Sequence, residues 1–439
     1  MPAEDRPVTA ERISARPESE METETDMGTR SFDHWDEQFV GDPFPQYRRM
    51  RLSGPVVRSD CYGGFWAVTR FQEVVEVCQD PITFSSRVQS IPADIGAGDM
   101  LLPPINVDPP DHSAFRRMLL PYFSPSRVAA IAPTVERIVD TLLDMTDRAT
   151  ELDLCSALTE RLPVLVTEQL LGTPAADEPA FSGWISRLVE GGATDYGAAA
   201  EAAHAMSAYL ASLMEDRRRA PRDDLTTFVT LTEAPEGTVF GENERLGCLF
   251  LLLIAGIDTT ASALGTSLWH LAQSPAQWKW LRGDPTMVPM AVEELLRAFA
   301  PTTVTRTTTT ATVLGGHRIE AGDPLLVMLP CANRDEDRFP DADRVILDRT
   351  PNRHLAFGLG AHHCLGAGLA RMELQVALRA LVSSIDALSL QESAPISWKK
   401  GPIRGPKSLP VRLHWADQPI SPSPTPAARD NREGPQCSM

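Results

Sequence analysis

The chain has 439 residues, 43% hydrophobic and 23% charged, with a formal net charge of −18. The balance is that of an ordinary globular protein, and the acidic excess argues against a nucleic-acid partner or an anionic membrane surface. Its seven cysteines are odd in number and form no close-spaced pair, which reads as thiols in a reducing cytoplasm rather than a disulfide framework.

Residues 1–29 are acidic and polar without an apolar core, and residues 417–439 are rich in Pro, Ser and Ala. They read as a disordered leader and tail around a single domain of residues 30–416. The most apolar stretch, Leu246 to Ile257, is interrupted by Asp258 and is too short to span a bilayer, so no membrane anchor is expected.

Folded sequence begins near Phe32. A short helix opens at Asp42–Tyr47, strand-like pieces follow at Val56–Val57 and Phe65–Val68, and Phe71 to Cys78 has helical spacing. Residues 85–106 carry Pro, Gly and scattered apolar side chains without a period, a loop long enough to suggest function. Ile91, Ile95, Met100, Leu101 and Leu102 are its candidate apolar contacts, and Arg87 a candidate carboxylate partner. A helix starts near Asp111 and places His112 and Arg116, four apart, on one face, where two donors can hold a carboxylate pair. Helical patterns then run over 126–148, 155–172, 179–189 and 198–219.

The predicted helix Glu242 to Ala272 contains Ala255-Gly256-Ile257-Asp258-Thr259-Thr260. A carboxylate in an apolar helix is expensive unless it is paired or used, and a threonine hydroxyl can compete for a backbone carbonyl and widen the turn. Helical spacing nominates Leu251, Ile254 and Ala255 as cavity-lining neighbours of Thr259. Met287 to Ala300 reads as another helix, with Glu294 and Arg297 side by side at i, i+3. Thr302 to Thr312 and Leu325 to Leu329 read as strands. Within the first, Thr302, Thr303 and Val304 are candidate lining residues.

The stretch Phe357-Gly358-Leu359-Gly360-Ala361-His362-His363-Cys364-Leu365-Gly366 combines a glycine-enabled turn, one cysteine and a following helical run. A cysteine ahead of a helix N-terminus is expected to favour the thiolate. The spacing Phe357, Gly360, Cys364, Gly366 resembles the haem-ligand loop of the cytochrome P450 superfamily, and Ala255–Thr260 resembles that family's oxygen-handling motif. The resemblance spans about residues 35–415. It implies a mainly α fold with small β-sheets (α+β), a long central helix over the haem and the cysteine loop beneath it.

The resemblance further implies haem b with Cys364 as axial ligand, cradled by Phe357, Gly358 and Gly360. His112, Arg116, Arg306 and His354 are the implied propionate donors. Asp258 and Thr259 would handle protons and O2, the co-substrate. Glu294 and Arg297 would form a structural set with an arginine of the following meander, for which Arg344 is the first candidate and Arg338 the second. The implied activity is a monooxygenase that hydroxylates or epoxidises a small-to-medium, mostly apolar substrate, as a monomer fed by a ferredoxin and an NAD(P)H-dependent reductase docking near Arg117. Rival readings are a zinc site of His354, His362, His363 and Cys364, a Cys364/His363 hydrolase, a haem protein that only binds ligand, and a family member using peroxide or performing C–C coupling.

Overall fold

A computed structural model describes residues 32–88, 90–92, 100–191, 195–233 and 240–417. The proposed leader and all but the first residue of the proposed tail lie outside these residues, as does Ile95. The architecture is mainly helical with small sheets, as expected.

Its axis is the helix Glu242–Ala272, 31 residues and about 46 Å long at 1.5 Å per residue. A Gly241/Glu244 capping interaction starts it, and no interruption of the helix marks the expected widened turn at 255–260. The helix is long and apolar enough to cross a membrane, but most of it is buried inside the protein. Its two halves belong to different cores. Cys248, Leu249, Leu251, Leu253 and Ile257 pack with Phe115, Leu119, Phe181, Met206 and Leu210. Ala263, Leu264, Leu268 and Leu271 pack with Leu142, Leu158, Leu295, Leu378 and Leu381. The middle of the helix thus lies between two apolar masses that fix it without covering it.

A five-stranded sheet runs in the order Val56–Ser59, Phe65–Val68, Pro324–Val327, Val304–Thr308, Phe84–Ser85. Only the Phe65–Val68/Pro324–Val327 pair is parallel. The opposition of Arg306 and Leu325 fixes the register that places Arg306 mid-strand. A second sheet orders Glu151–Asp153, Pro410–Trp415 and Ile385–Leu390. The expected strand at Leu325–Leu329 ends at Val327, and a short helix Leu329–Ala332 follows.

The segment between that helix and the cysteine loop has little regular structure and is held by one buried carboxylate. Glu294 and Arg297 lie on the helix Val288–Ala298 with fully buried side chains. Arg297 donates to Glu294 at 2.7 and 2.9 Å and to the carbonyls of Asn333, Ala342 and Arg344. The third member is Arg349, which donates to both Glu294 oxygens at 3.1 and 3.0 Å. Arg344 contributes its carbonyl, while its side chain is 72% exposed, 3.9 Å from Asp341. Arg338 stacks on Phe71 instead. The Ile346 N–H and Asn352 Nδ2 complete the shell of Glu294.

Removing one partner of a buried, hydrogen-bonded charge costs about 3–5 kcal/mol, whereas an exposed side chain is worth about 0.5 kcal/mol or less. Denaturant unfolding should therefore show Arg349→Ala losing roughly 3 kcal/mol and Arg344→Ala almost nothing. Equal losses would contradict the assignment.

Candidate functional site

The cysteine loop is built by backbone bonds and close approach. The Cys364 N–H donates to the Phe357 carbonyl at 2.8 Å and Gly358 N–H to Leu355 at 2.9 Å, closing a turn over the short 3-10 segment Gly360–His362. Gly358 and Gly360 hold φ of 65° and 73°. At Gly360 a Cβ would also lie 2.2 Å from the Cys78 carbonyl oxygen, so only glycine fits there. The loop ends at Gly366, which caps the helix Ala367–Ser384.

Cys364 is closely surrounded by the loop, yet its side chain is exposed. Burial pushes its thiol above the ordinary range; the Gly366 N–H and the Arg116 and Arg371 guanidinium groups pull it back without cancelling that rise. The thiolate expected from the helix terminus alone is therefore outweighed by desolvation, and a coordinated metal would supply the missing term by deprotonating the sulfur outright.

Four basic side chains meet beside the cysteine: His112 and Arg116 from the helix Asp111–Leu119, Arg306 from the sheet, and His362 from the loop. The His112 and His362 rings stand 4.1 Å apart. Burial and then the Arg306, His112 and Arg116 charges drive His362 down to about 3. Burial and Arg116 likewise lower His112. Arg306 is 7% exposed and spends one amine on its neighbouring Thr305 carbonyl. Both ring nitrogens of His112 and Nε2 of His362 are buried without a partner. Buried polar atoms left orphaned are costly, and a concentration of donors around them fits a bound dianion.

His354 does not join this group. Its Nε2 sits 3.1 Å from Glu293 Oε2, and Arg371 holds the same carboxylate at 2.7 and 3.0 Å. Burial opposes ionisation of Glu293, but these donors prevail and bring it down to about 2. Arg371 in turn stacks on Phe357 at 4.3 Å. His354 thus braces the loop, and the residue that sequence reasoning missed is His362. The signal is there, since His362 and His363 directly precede Cys364, but the sequence reading assigns them only to a zinc site and, for His363, to a hydrolase. The zinc grouping does not assemble: among the described residues no three of His, Cys, Asp and Glu are placed to hold a metal.

The other wall comes from the central helix. Ala255 and Gly256 are exposed in mid-helix, and Leu252 and Thr259 are half-buried. Leu251 is 7% exposed and belongs to the apolar cluster, against which Leu252 and Ile254 both pack in part. At about 100° per residue, Leu252 lies within about 20° of Thr259 and Ile254 about 140° away, so the open stripe runs 252–255–256–259. Thr259 Oγ1 donates to the Ala255 carbonyl at 2.8 Å. Asp258 is 5% exposed; Lys399 Nζ lies 2.5 Å from its Oδ1, and its Oδ2 is without a partner. Nothing in the sequence signalled that pair.

The flanks are less open than expected. Thr302 bridges to Ile403, and Val304 packs against the sheet's core. Arg87 is mostly exposed and faces Asp108 at 3.5 Å rather than the interior. The loop before Asp111 lies over the central helix, with the Leu101 carbonyl so close to Gly247 that a Cβ there would approach within 1.9 Å. Ile91 and Leu102 are buried, and Leu101 is 41% exposed.

Comparison with known proteins gives this arrangement its context. The chain is 35% identical over 401 residues to "Cytochrome P450 107B1" of Saccharopolyspora erythraea, covering 86% of this chain and 96% of that one. This chain belongs to the cytochrome P450 family. The Cytochrome P450 family pattern matches residues 193–402. It is also 34% identical over 359 residues to the mycinamicin IV hydroxylase/epoxidase of Micromonospora griseorubida, covering 79% and 89% of the two chains. The solved structure of cytochrome P450 CYP109Q5 from Chondromyces apiculatus superimposes with a TM-score of 0.80 at 32% identity, over 88% of this chain and 98% of that one. The protein is a cytochrome P450 monooxygenase, and the family implies a haem-thiolate cofactor. The residues present fit it: an accessible sulfur, orphaned donors for two carboxylates, and an open small-residue stripe.

If His362 serves the cofactor and His354 only the loop, their alanine variants should separate. His362→Ala should speed haem transfer to apomyoglobin about tenfold, the worth of one charge-assisted hydrogen bond. His354→Ala should lower the unfolding midpoint while leaving the transfer rate of the folded enzyme unchanged. The reverse pattern would restore His354 as the donor.

Proposed function

We propose that Cys364 would supply the thiolate that holds haem in a monooxygenase inserting one atom of O2 into a small-to-medium, mostly apolar substrate. The observation that carries this reading is the meeting of an accessible Cys364 with His112, Arg116, Arg306 and His362, whose buried ring nitrogens lack partners. When bound, haem with a thiolate ligand supplies reductive activation of O2 and favours cleavage of the O–O bond. Per turnover, one substrate C–H, one O2, two electrons and two protons give one C–OH and one water.

The protein's own part is binding and proton handling. His112, Arg116, Arg306 and His362 would hold the two propionates and so set the orientation of the group. Leu252, Ala255 and Gly256, with the apolar edge at Met100 and Leu101, offer a surface suited to an apolar molecule and leave room beside Thr259. The Thr259 hydroxyl gives its proton to Ala255 and keeps its lone pairs free to accept. Asp258 is next along the helix and would return protons to that hydroxyl's surroundings from the protein interior. Burial keeps bulk water from short-circuiting the transfer.

Likeness to the mycinamicin IV hydroxylase/epoxidase supports tailoring of a natural product in bacterial specialised metabolism, with hydroxylation or epoxidation as the outcome. No glycine-rich dinucleotide loop or cysteine cluster occurs in the sequence, so electrons would come from a ferredoxin and its NAD(P)H-dependent reductase, at a face that includes the exposed Arg117. The reaction would take place in the cytoplasm.

Thr259→Ala decides whether the hydroxyl handles O2. The variant should keep the substrate-induced spin-state shift, while product formed per NAD(P)H falls about tenfold and peroxide accounts for the difference. Undiminished coupling would remove Thr259 from the mechanism.

A further inference from the structure

The chain has only four lysines, Lys279, Lys399, Lys400 and Lys407, among 41 basic residues. One of them is buried against the acid of the central helix. Lys399 follows the strand Ser397–Trp398, its N–H donates to the Gly405 carbonyl, and the side chain is 8% exposed. Trp398 meets Trp269 of the central helix at 5.2 Å, edge to face, and Arg404 covers its other side at 4.0 Å. The backbone that carries Lys399 is therefore clamped to the same helix that carries Asp258. From this anchor Nζ reaches Oδ1 at 2.5 Å and leaves Oδ2 buried and without a partner.

Burial by itself would lower Lys399, but Asp258, followed by Glu160 and Cys155, more than reverses this and keeps it an ammonium at neutral pH. The residue type matters. A guanidinium fork binds a carboxylate through both oxygens, whereas an ammonium is a point donor that can hold one and leave the other. A carboxylate tied at one oxygen is fixed in rotamer yet retains one free acceptor.

We propose that Lys399 is the positioning residue of the proton relay, pinning Asp258 through Oδ1 so that Oδ2 alone is presented for proton transfer. The proposal rests on the reading that Asp258 relays protons, and its test separates the two. In the resting enzyme, without turnover, lysine acylation followed by mass spectrometry should find Lys399 protected while Lys400 and Lys407 react. Asp258→Asn should expose Lys399 to modification at least tenfold faster, since burial alone would protect it in both proteins.

In turnover, Lys399→Met should raise the solvent isotope effect and divert electrons to peroxide with the substrate spin-state shift intact. Lys399→Arg should keep the fold but, by occupying both oxygens, fail to restore coupling. Protection that survives in Asp258→Asn, or full coupling in Lys399→Met or Lys399→Arg, overturns the role of Lys399. Full coupling in Asp258→Asn instead overturns the relay itself, whatever the lysine does.

Discussion

The site depends on a carboxylate that never meets substrate. Glu294 is fully buried and accepts from Arg297, Arg349, Ile346 and Asn352. An ion so placed is costly unless every lone pair is met, and here every partner but Arg297 comes from the stretch with little regular structure. Arg297 spends its remaining donors on the carbonyls of Asn333, Ala342 and Arg344. Asn333 then accepts the Leu355 N–H at 2.7 Å, and the Leu355 carbonyl accepts from Gly358. A continuous series of bonds thus leads from one acid on a helix to the turn that presents Cys364. The neighbouring Glu293, with His354 and Arg371, braces the same loop from Phe357.

On the opposite wall the central helix faces a different problem: it must be rigid but partly bare. Packing its two halves into separate apolar clusters solves this, since neither cluster includes Ala255, Gly256 or Thr259. Small side chains occupy the bare stretch, and a lysine holds one oxygen of the neighbouring acid while leaving the other without a partner. Rigidity from packing and reactivity from what packing leaves uncovered belong to one design. It keeps the polar groups positioned before any substrate arrives.

Much of this was legible in the chain. The bounds of the central helix could be read from the sequence, and the cysteine loop from its glycines. The misreadings share a cause. Arg344 and Arg349 lie five apart in a segment without a period, and only the distant Glu294 distinguishes the one that points inward. His354 and His362 flank the same loop, and tertiary contacts with Glu293 and His112 send them to different tasks. Lys399 is 141 residues from Asp258 and meets it only through the tertiary fold, with Trp398 packed on Trp269 beside the pair. The helical face was misjudged by arithmetic alone, because Leu252 and not Ile254 completes the turn with Thr259. Periodicity reports what is local; partner choice across long separations has no local trace.

The central claim is that Cys364 is the working ligand of a haem held between these two walls. The most direct measurement is the absorption spectrum of the purified protein after reduction and exposure to carbon monoxide. The account predicts a strongly red-shifted Soret band in the native enzyme and its loss in Cys364→Ser. A Soret band at the imidazole-ligated position in the native protein, or one unchanged by that substitution, would contradict it.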